Sequence, residues 1–172
     1  MNQYPIIKEV DEELDQNTEK RVHKMLSEFS DVPIVKLFPN TYKYDGIISQ
    51  VKIPISAVCE HHEVAFQGFI HIAYIPGQWV TGLSKLARVA EYYLNPTVKT
   101  VQEKANSQII NHLNAVLEDN QGIMVVIEAT HNCISFRGVK KPSVTITSMV
   151  TGVFAEKGND AKSEFLSLIN SK

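Results

Sequence analysis

Long apolar runs are missing from this sequence of 172 residues, and none approaches the roughly 20 residues that a membrane-spanning helix needs. An excess of one charge is missing too. Lys and Arg number 17 against 19 Asp and Glu, a formal net charge of −2, so bulk charge gives no reason to expect nucleic acid or an anionic membrane as partner. The opening residues, MNQYPIIKEVDEELDQ, are acidic and lack the basic start and apolar stretch of a signal peptide, so a cytoplasmic location is the expectation. No internal repeat, low-complexity tract or convincing linker interrupts the chain. Its length suits one domain over residues 1–172, with a helical segment over 1–30 and a core over 45–172. Cysteine is scarce: Cys59 and Cys133 are the two. A disulfide between them is conceivable, but a reducing cytosol disfavours it.

Hydrophobic residues at 44% and charged residues at 21% are ordinary for a soluble globular chain, so a normal core is expected. Residues 11–30 predict an amphipathic helix with Val22, Met25, Leu26 and Phe29 at i, i+3, i+4 and i+7, ended by Pro33 and Phe38-Pro39-Asn40. Residues 49–58 and 64–75 are rich in β-branched and aromatic types and predict strands, with a turn over Tyr74-Ile75-Pro76-Gly77. Gly82 to Leu94 predicts a helix with Leu83, Leu86, Val89 and Ala90 on one face. After Pro96, Val98 to Leu117 predicts a longer one striped by Val101, Ala105, Ile109, His112 and Val116. Ile123–Glu128 and Ser143–Phe154 predict two more strands, and Ala161 to Asn170 a last helix with Asp160 as N-cap. Strands flanking central helices argue for an α+β fold, and its edge strands need covering or pairing, which a ring of subunits joined edge to edge supplies.

The two cysteines keep notable company. Cys59 is followed by Glu60, His61 and His62, and Cys133 is preceded by His131. In a strand Cys59 and His61 share a face; in a helical turn Cys59 and His62 are neighbours. His131 and Cys133, two apart in an expected strand, point the same way. Three ligands from this set leave a tetrahedral zinc with one open position, the catalytic arrangement, whereas a closed structural site takes four. A structural zinc site, a Cys/His nucleophilic dyad and plain packed core residues are the competing readings.

Gly82-Leu83-Ser84-Lys85 with Arg88 places two cations near a helix start, where free N–H groups and the dipole attract anions. A solvated charged face is the plainer reading, and the same holds for Lys20, Arg21, Lys24 and Arg137. Glu103, after Val101-Gln102, offers a carboxylate that could accept from the N1–H and exocyclic amine of guanine; an ordinary helix-surface Glu competes with that.

Taken in order, Cys59-Glu60-His61-His62, Gly82-Leu83-Ser84-Lys85 with Arg88, Val101-Gln102-Glu103, and His131-Asn132-Cys133 followed by Arg137-Gly138 resemble the zinc-dependent GTP cyclohydrolase I family. Thr145 to Phe154 and Glu164-Phe165-Leu166 resemble its closing segments, so the likeness runs from about residue 17 to the C-terminus. The resemblance implies the tunnelling fold, an antiparallel sheet with helices on one face, assembling edge to edge into a barrel. It also implies a homodecamer of two stacked pentamers with active sites between subunits. It implies one zinc per subunit on Cys59, His62 and Cys133, activating the water that attacks C8 of GTP. His131 would be the general acid, with His61 and Ser84 assisting later proton transfers. Glu103 and Gln102 would hold the guanine edge, and Lys85, Arg88, Arg137, Lys24 and Arg21 would bind the triphosphate and ribose. The products would be formate and 7,8-dihydroneopterin triphosphate, the entry to folate, biopterin or deazaguanine synthesis.

Three features depart from the family's pattern: Glu19 stands where a proline is usual, Glu63 follows the CEHH motif, and two extra residues precede Gln102. The rivals are a related tunnelling-fold enzyme, such as the nitrile reductase of deazaguanine synthesis, and a non-catalytic zinc-stabilised subunit that binds nucleotide.

Overall fold

In the computed structural model, which describes residues 12–27 and 31–171, the chain divides into two units, Met1–Asp31 and Val32–Lys172. The first contains helix α1, Glu12–Ser27. Its residues 18–24 are all exposed, Val22 included. Of the expected apolar stripe, Phe29 and the side chains of Met25 and Leu26 lie outside the described residues.

The second unit follows the order β1 (Leu37–Pro39), β2 (Ile48–Cys59), β3 (Ala65–Ile75), β4 (Trp79–Thr81), α2 (Ser84–Tyr93), β5 (Lys99–Thr100), α3 (Gln102–Val116), β6 (Gly122–His131), the single turn α4 (Asn132–Ser135), β7 (Val144–Val150), a 3-10 turn over Gly152–Ala155, and α5 (Ala161–Asn170). β1 pairs with β4, and the main sheet runs β5-β2-β3-β6-β7. Its neighbours are antiparallel except β5, which lies parallel to the end of β2. The α+β class with an antiparallel sheet is therefore as the sequence led us to expect.

Alternation along the strands decides what each face buries. Ile55, Ala57, Phe66, Ile70, Ile72, Tyr74, Ile123, Val125 and Ile127 pack with Leu86 and Val89 of α2 and Ile109 and Leu113 of α3. Each such large side chain contributes about 1.5–3 kcal/mol when buried, more than helix propensities differ among ordinary residues. On the opposite face, Ala73, Ile75, Met124 and Val126 are covered by Phe154, Phe165 and Ile169. That cover reaches one end of the sheet, which is why β6 reads as a continuous apolar run up to Ile127 and then turns polar on the far face at Glu128 and Thr130.

Several boundaries differ from expectation, each for a physical reason. Residues 98–101 are extended rather than helical, because the backbone there accepts from the N–H groups of Val58 (2.9 Å, Val98 carbonyl) and Glu60 (3.0 Å, Thr100 carbonyl). The buried face of α3 is Gln102, Ala105, Asn106, Ile109, Ile110 and Leu113, an i, i+3, i+4 stripe whose two polar members hide it from an apolar count. Leu83 precedes α2 and is exposed. The last strand stops at Val150, since Gly152 turns the chain with φ 53° and a Cβ there would meet the Gln121 carbonyl at 2.0 Å. Asp160 is helical and makes no side-chain cap to α5; Asn159 Oδ1 instead accepts from the Ala161 N–H at 2.9 Å. Cys133 lies in α4, past the strand that ends at His131.

The longest ladder, Phe66↔His131 through Ile75↔Gly122, also contains the tightest approach. A Cβ on Gly68 would fall 1.9 Å from the Glu128 carbonyl oxygen. Gly68→Ala is expected to lower unfolding free energy by about 1–3 kcal/mol, the usual cost of overpacking. A denaturant titration that returned wild-type stability would show that the two strands part without cost.

Candidate metal centre and its cleft

Strand parity delivers the chemistry to one place. Odd positions of β2 and β6 face α2 and α3, so the last odd residues, Cys59 and His131, emerge at the same end of that face. The chain beyond Cys59 turns sharply: its carbonyl accepts from the N–H groups of His62 (3.3 Å) and Glu63 (2.8 Å). That is the helical-turn alternative for CEHH, and it brings His62 Nδ1 to 3.8 Å from Cys59 Sγ. The single turn of α4 then supplies Cys133. One donor atom from each of Cys59, His62 and Cys133 lies within 4.8 Å of the other two.

A tetrahedral ion with bonds of about 2.0–2.3 Å needs donors about 3.3–3.8 Å apart, so this trio fits one after small side-chain adjustments. Among the described residues it is the one such group of His, Cys, Asp or Glu donors. Both cysteines are free thiols. Burial first, and then the neighbouring Cys59, push the Cys133 thiol above its ordinary value, while Arg137 pulls it down. A Cys133 thiol that resists ionising beside a second sulfur is one that a divalent cation would relieve.

The donors border a cavity of about 260 Å³, lined as well by His61, Val101, Gln102, Glu103, His131, Ile134 and Thr145. A larger hollow of about 460 Å³ lies between Pro39–Asp45 and Pro76–Gln78. It holds none of the donors, so chemistry rather than size selects the smaller one. The His131 ring lies parallel to Phe66, with centroids 4.6 Å apart and an interplanar angle of 11°. Its Nε2 is 2.8 Å from Gln102 Oε1. Burial lowers the His131 pKa and Glu103 opposes that shift, so the imidazole is neutral at neutral pH.

The structure thus brings together Cys59, His61, His62, Gln102, Glu103, His131 and Cys133. Arg137 is exposed and close enough for its charge to act on Cys133. Gln102, expected at the guanine edge, is buried with its side chain hydrogen-bonded inside the protein. Ser84, Lys85 and Arg88 are not in this cleft. The Thr81 N–H donates to the Tyr74 hydroxyl at 3.1 Å, which ties the start of α2 to the Tyr74 end of β3. Phe66, beside His131, is 74 − 66 = 8 residues away along that strand, about 26 Å at 3.3 Å per residue. Arg21 and Lys24 are exposed on α1, in the other unit. Sequence reasoning missed Phe66, Ile134 and Thr145, because only the strand register shows which residues flank His131.

Comparison with known proteins agrees with this geometry. Residues 5–170 match the family model described as GTP cyclohydrolase I. The GTP cyclohydrolase 1 of Dictyostelium discoideum is 50% identical over 120 residues, covering 69% of this chain and 50% of that protein. That of Sulfurihydrogenibium sp. (strain YO3AOP1) is 40% identical over 159 residues, covering 90% of this chain and 82% of that protein. Among solved structures, the archaeosine synthase QueF-Like in the apo form gives a TM-score of 0.42 at 10% identity, over 60% of this chain and 92% of that one. That likeness is too loose to bear on function.

The raised Cys133 thiol sets a testable reactivity. In chelator-treated protein its alkylation at pH 8 should be slower than that of a free cysteine and should climb further with pH, because little thiolate exists below the raised value. Peptide mapping by mass spectrometry after timed alkylation reads this directly. Faster modification than free cysteine would mean that Arg137 outweighs burial.

Proposed function

The chain belongs to the GTP cyclohydrolase I family, and we propose that it is a zinc enzyme converting GTP and water into formate and 7,8-dihydroneopterin triphosphate. Its α+β architecture, an antiparallel sheet backed by helices, is the family's tunnelling fold. One observation carries the reading: a three-donor Cys59, His62, Cys133 set shares a cleft with a neutral histidine and with Glu103. Three protein donors leave a fourth position for water or substrate, which is how catalytic rather than structural zinc is held. Bound there, zinc supplies an activated water at neutral pH and polarises the atom it touches.

The remaining work falls to side chains. Glu103, exposed in the first turn of α3, accepts from the N1–H and exocyclic amine of guanine, a donor pair that adenine lacks. His131 starts neutral, so it gathers a proton as C8 is attacked and returns it to the imidazole-ring nitrogen as the C–N bond opens. His61, at the mouth of the same cleft, serves the proton transfers that follow. Formate leaves, the ribose rearranges, and ring closure gives the pterin.

The triphosphate needs cations that this cleft does not hold. A volume of about 260 Å³ is below the usual 300–1,000 Å³ of a small-molecule site. Ser84 and Lys85 open α2 next to the Tyr74 end of β3, and neither they nor Arg88 line the same chain's cleft. A neighbouring copy presenting its α2 start to this cleft completes the site, alongside Arg137. Pairing of β7's outer edge with another subunit's sheet builds such an assembly, a ring of five stacked as a decamer. Among the described residues no helix is long and apolar enough to cross a membrane, consistent with work in the cytoplasm on the pterin route to folate, biopterin or deazaguanine products.

Zinc-loaded protein given GTP should release formate and a pterin that fluoresces after oxidation, both abolished by a chelator. Protein that holds zinc, is assembled and yields neither product would defeat the proposal. His131→Ala should keep one zinc per chain yet lose about 10²–10⁴-fold in ring opening; metal loss in that variant would move His131 into the ligand set. Glu103→Ala should erode the preference for GTP over ATP by about 10–100-fold, as expected for hydrogen bonds to a charged group of about 1.5–3 kcal/mol. An unchanged preference would take guanine recognition away from Glu103.

A further inference from the structure

The Gln102 amide can sit only one way round. Its nitrogen is 3.1 Å from each of the Ile127 carbonyl, the Thr145 carbonyl and Thr147 Oγ1. Backbone carbonyls can only accept, so the amide nitrogen must face them and the amide oxygen must face His131. Thr147 Oγ1 is itself held by Asn106 Nδ2 at 3.1 Å, which fixes the far side of the arrangement. At 2.8 Å an amide oxygen cannot face a lone pair, so His131 Nε2 has to carry the hydrogen and donate it. A neutral imidazole has one N–H, and Nδ1 is left as the basic atom. Phe66, stacked on the ring at 4.6 Å, keeps it from tipping out of that hydrogen bond.

We propose that Gln102 is a positioning residue: it selects the Nε2–H tautomer of His131 and so makes Nδ1 the atom that takes up and releases the proton, instead of contacting guanine. The inference rests on the function proposed above and adds to it the atom that exchanges the proton and the residue that dictates it. Gln102 touches no reacting atom. Its side chain is 1% exposed, and both of its amide hydrogens are committed to β6 and β7. It acts through His131 alone. Glu103, one residue on, keeps the guanine to itself.

The test uses the assembled, zinc-loaded protein labelled with ¹⁵N-histidine. His131 resonances are identified by subtracting the spectrum of a His131→Gln variant. Solid-state ¹⁵N spectra of the wild type should show His131 Nε2 protonated and Nδ1 bare. In Gln102→Met, which removes the acceptor, the two tautomers should mix. Its kcat should fall on the order of 100-fold, the lower end for an acid–base group, while KM for GTP and zinc content stay unchanged. Gln102→Glu keeps an oxygen toward Nε2 and, protonated among the carbonyls, should restore both the tautomer and most of kcat. A raised KM with unaltered kcat in Gln102→Met would instead assign Gln102 to guanine binding and overturn the inference. A wild-type His131 protonated at Nδ1 would overturn it without recourse to any variant that fails to fold. Wild-type protein that releases no formate sinks the proposed function, and the ¹⁵N spectrum then decides the tautomer claim by itself.

Discussion

The register of β3 against β6 is the constraint on which the rest depends. Ten pairs align Phe66 with His131 and Ile75 with Gly122. Side chains alternate between faces, so a slip of β6 by one residue would carry His131 to the face away from α3 and turn Glu128 and Thr130 toward it. Gln102 would then meet neither the Ile127 carbonyl nor the imidazole. The face under α3 is apolar around Ile55, Ala57, Phe66 and Ile127, so turning the Glu128 carboxylate into it penalises the slip. Core packing, rather than anything local to the donors, is what holds His131 in place.

Two polar side chains enter the core on α3, close to where β6 runs out. Gln102 and Asn106 occupy the buried face of α3, where apolar residues stand further along the helix. Gln102 is satisfied on every side. Asn106 Oδ1 has no hydrogen-bond partner, and an unmet buried acceptor costs on the order of 1–3 kcal/mol. Asn106 shares the Thr147 hydroxyl with Gln102, so the cost falls one helical turn from the residue that holds His131. The turn bearing His61 and His62 is tethered from outside by Glu60–Lys104 and Glu63–Lys99 ion pairs. Both are exposed and screened by solvent, and therefore weak, so β5 pairing with Val58 and Cys59 does more to hold the turn.

The sheet was largely legible in the sequence, because β-branched runs at residues 49–58, 64–75 and 123–128 announce themselves by composition. The donor trio was implied by the family resemblance; spacing within CEHH left His61 and His62 as alternatives until the turn after Cys59 brought His62 beside it. What escaped were long-range consequences. Residues 98–101 have the look of a helix start until Val58 and Glu60 claim their carbonyls. Gln102 resembles a surface residue unless β7 is known to pass behind it. Cys133 was expected beside His131 on a strand, yet the ladder ends at His131 and α4 takes over. The separation of the α2 cations from the donors is likewise a matter of strand length, which no local pattern encodes.

The pieces of the cleft are scattered along the chain, with 133 − 59 = 74 positions between the two thiols and 147 − 102 = 45 between Gln102 and the hydroxyl behind it. Loop-closure entropy rises with such separations, and β pairing of distant segments is slow to form. On the ribosome, the emerging polypeptide can present Cys59 and His62 early but has no third donor until Cys133 is made, and no locked imidazole until β7 follows. For the metal centre proposed above, a three-donor set is thereby complete only late in synthesis, once Cys133 has followed β6 out.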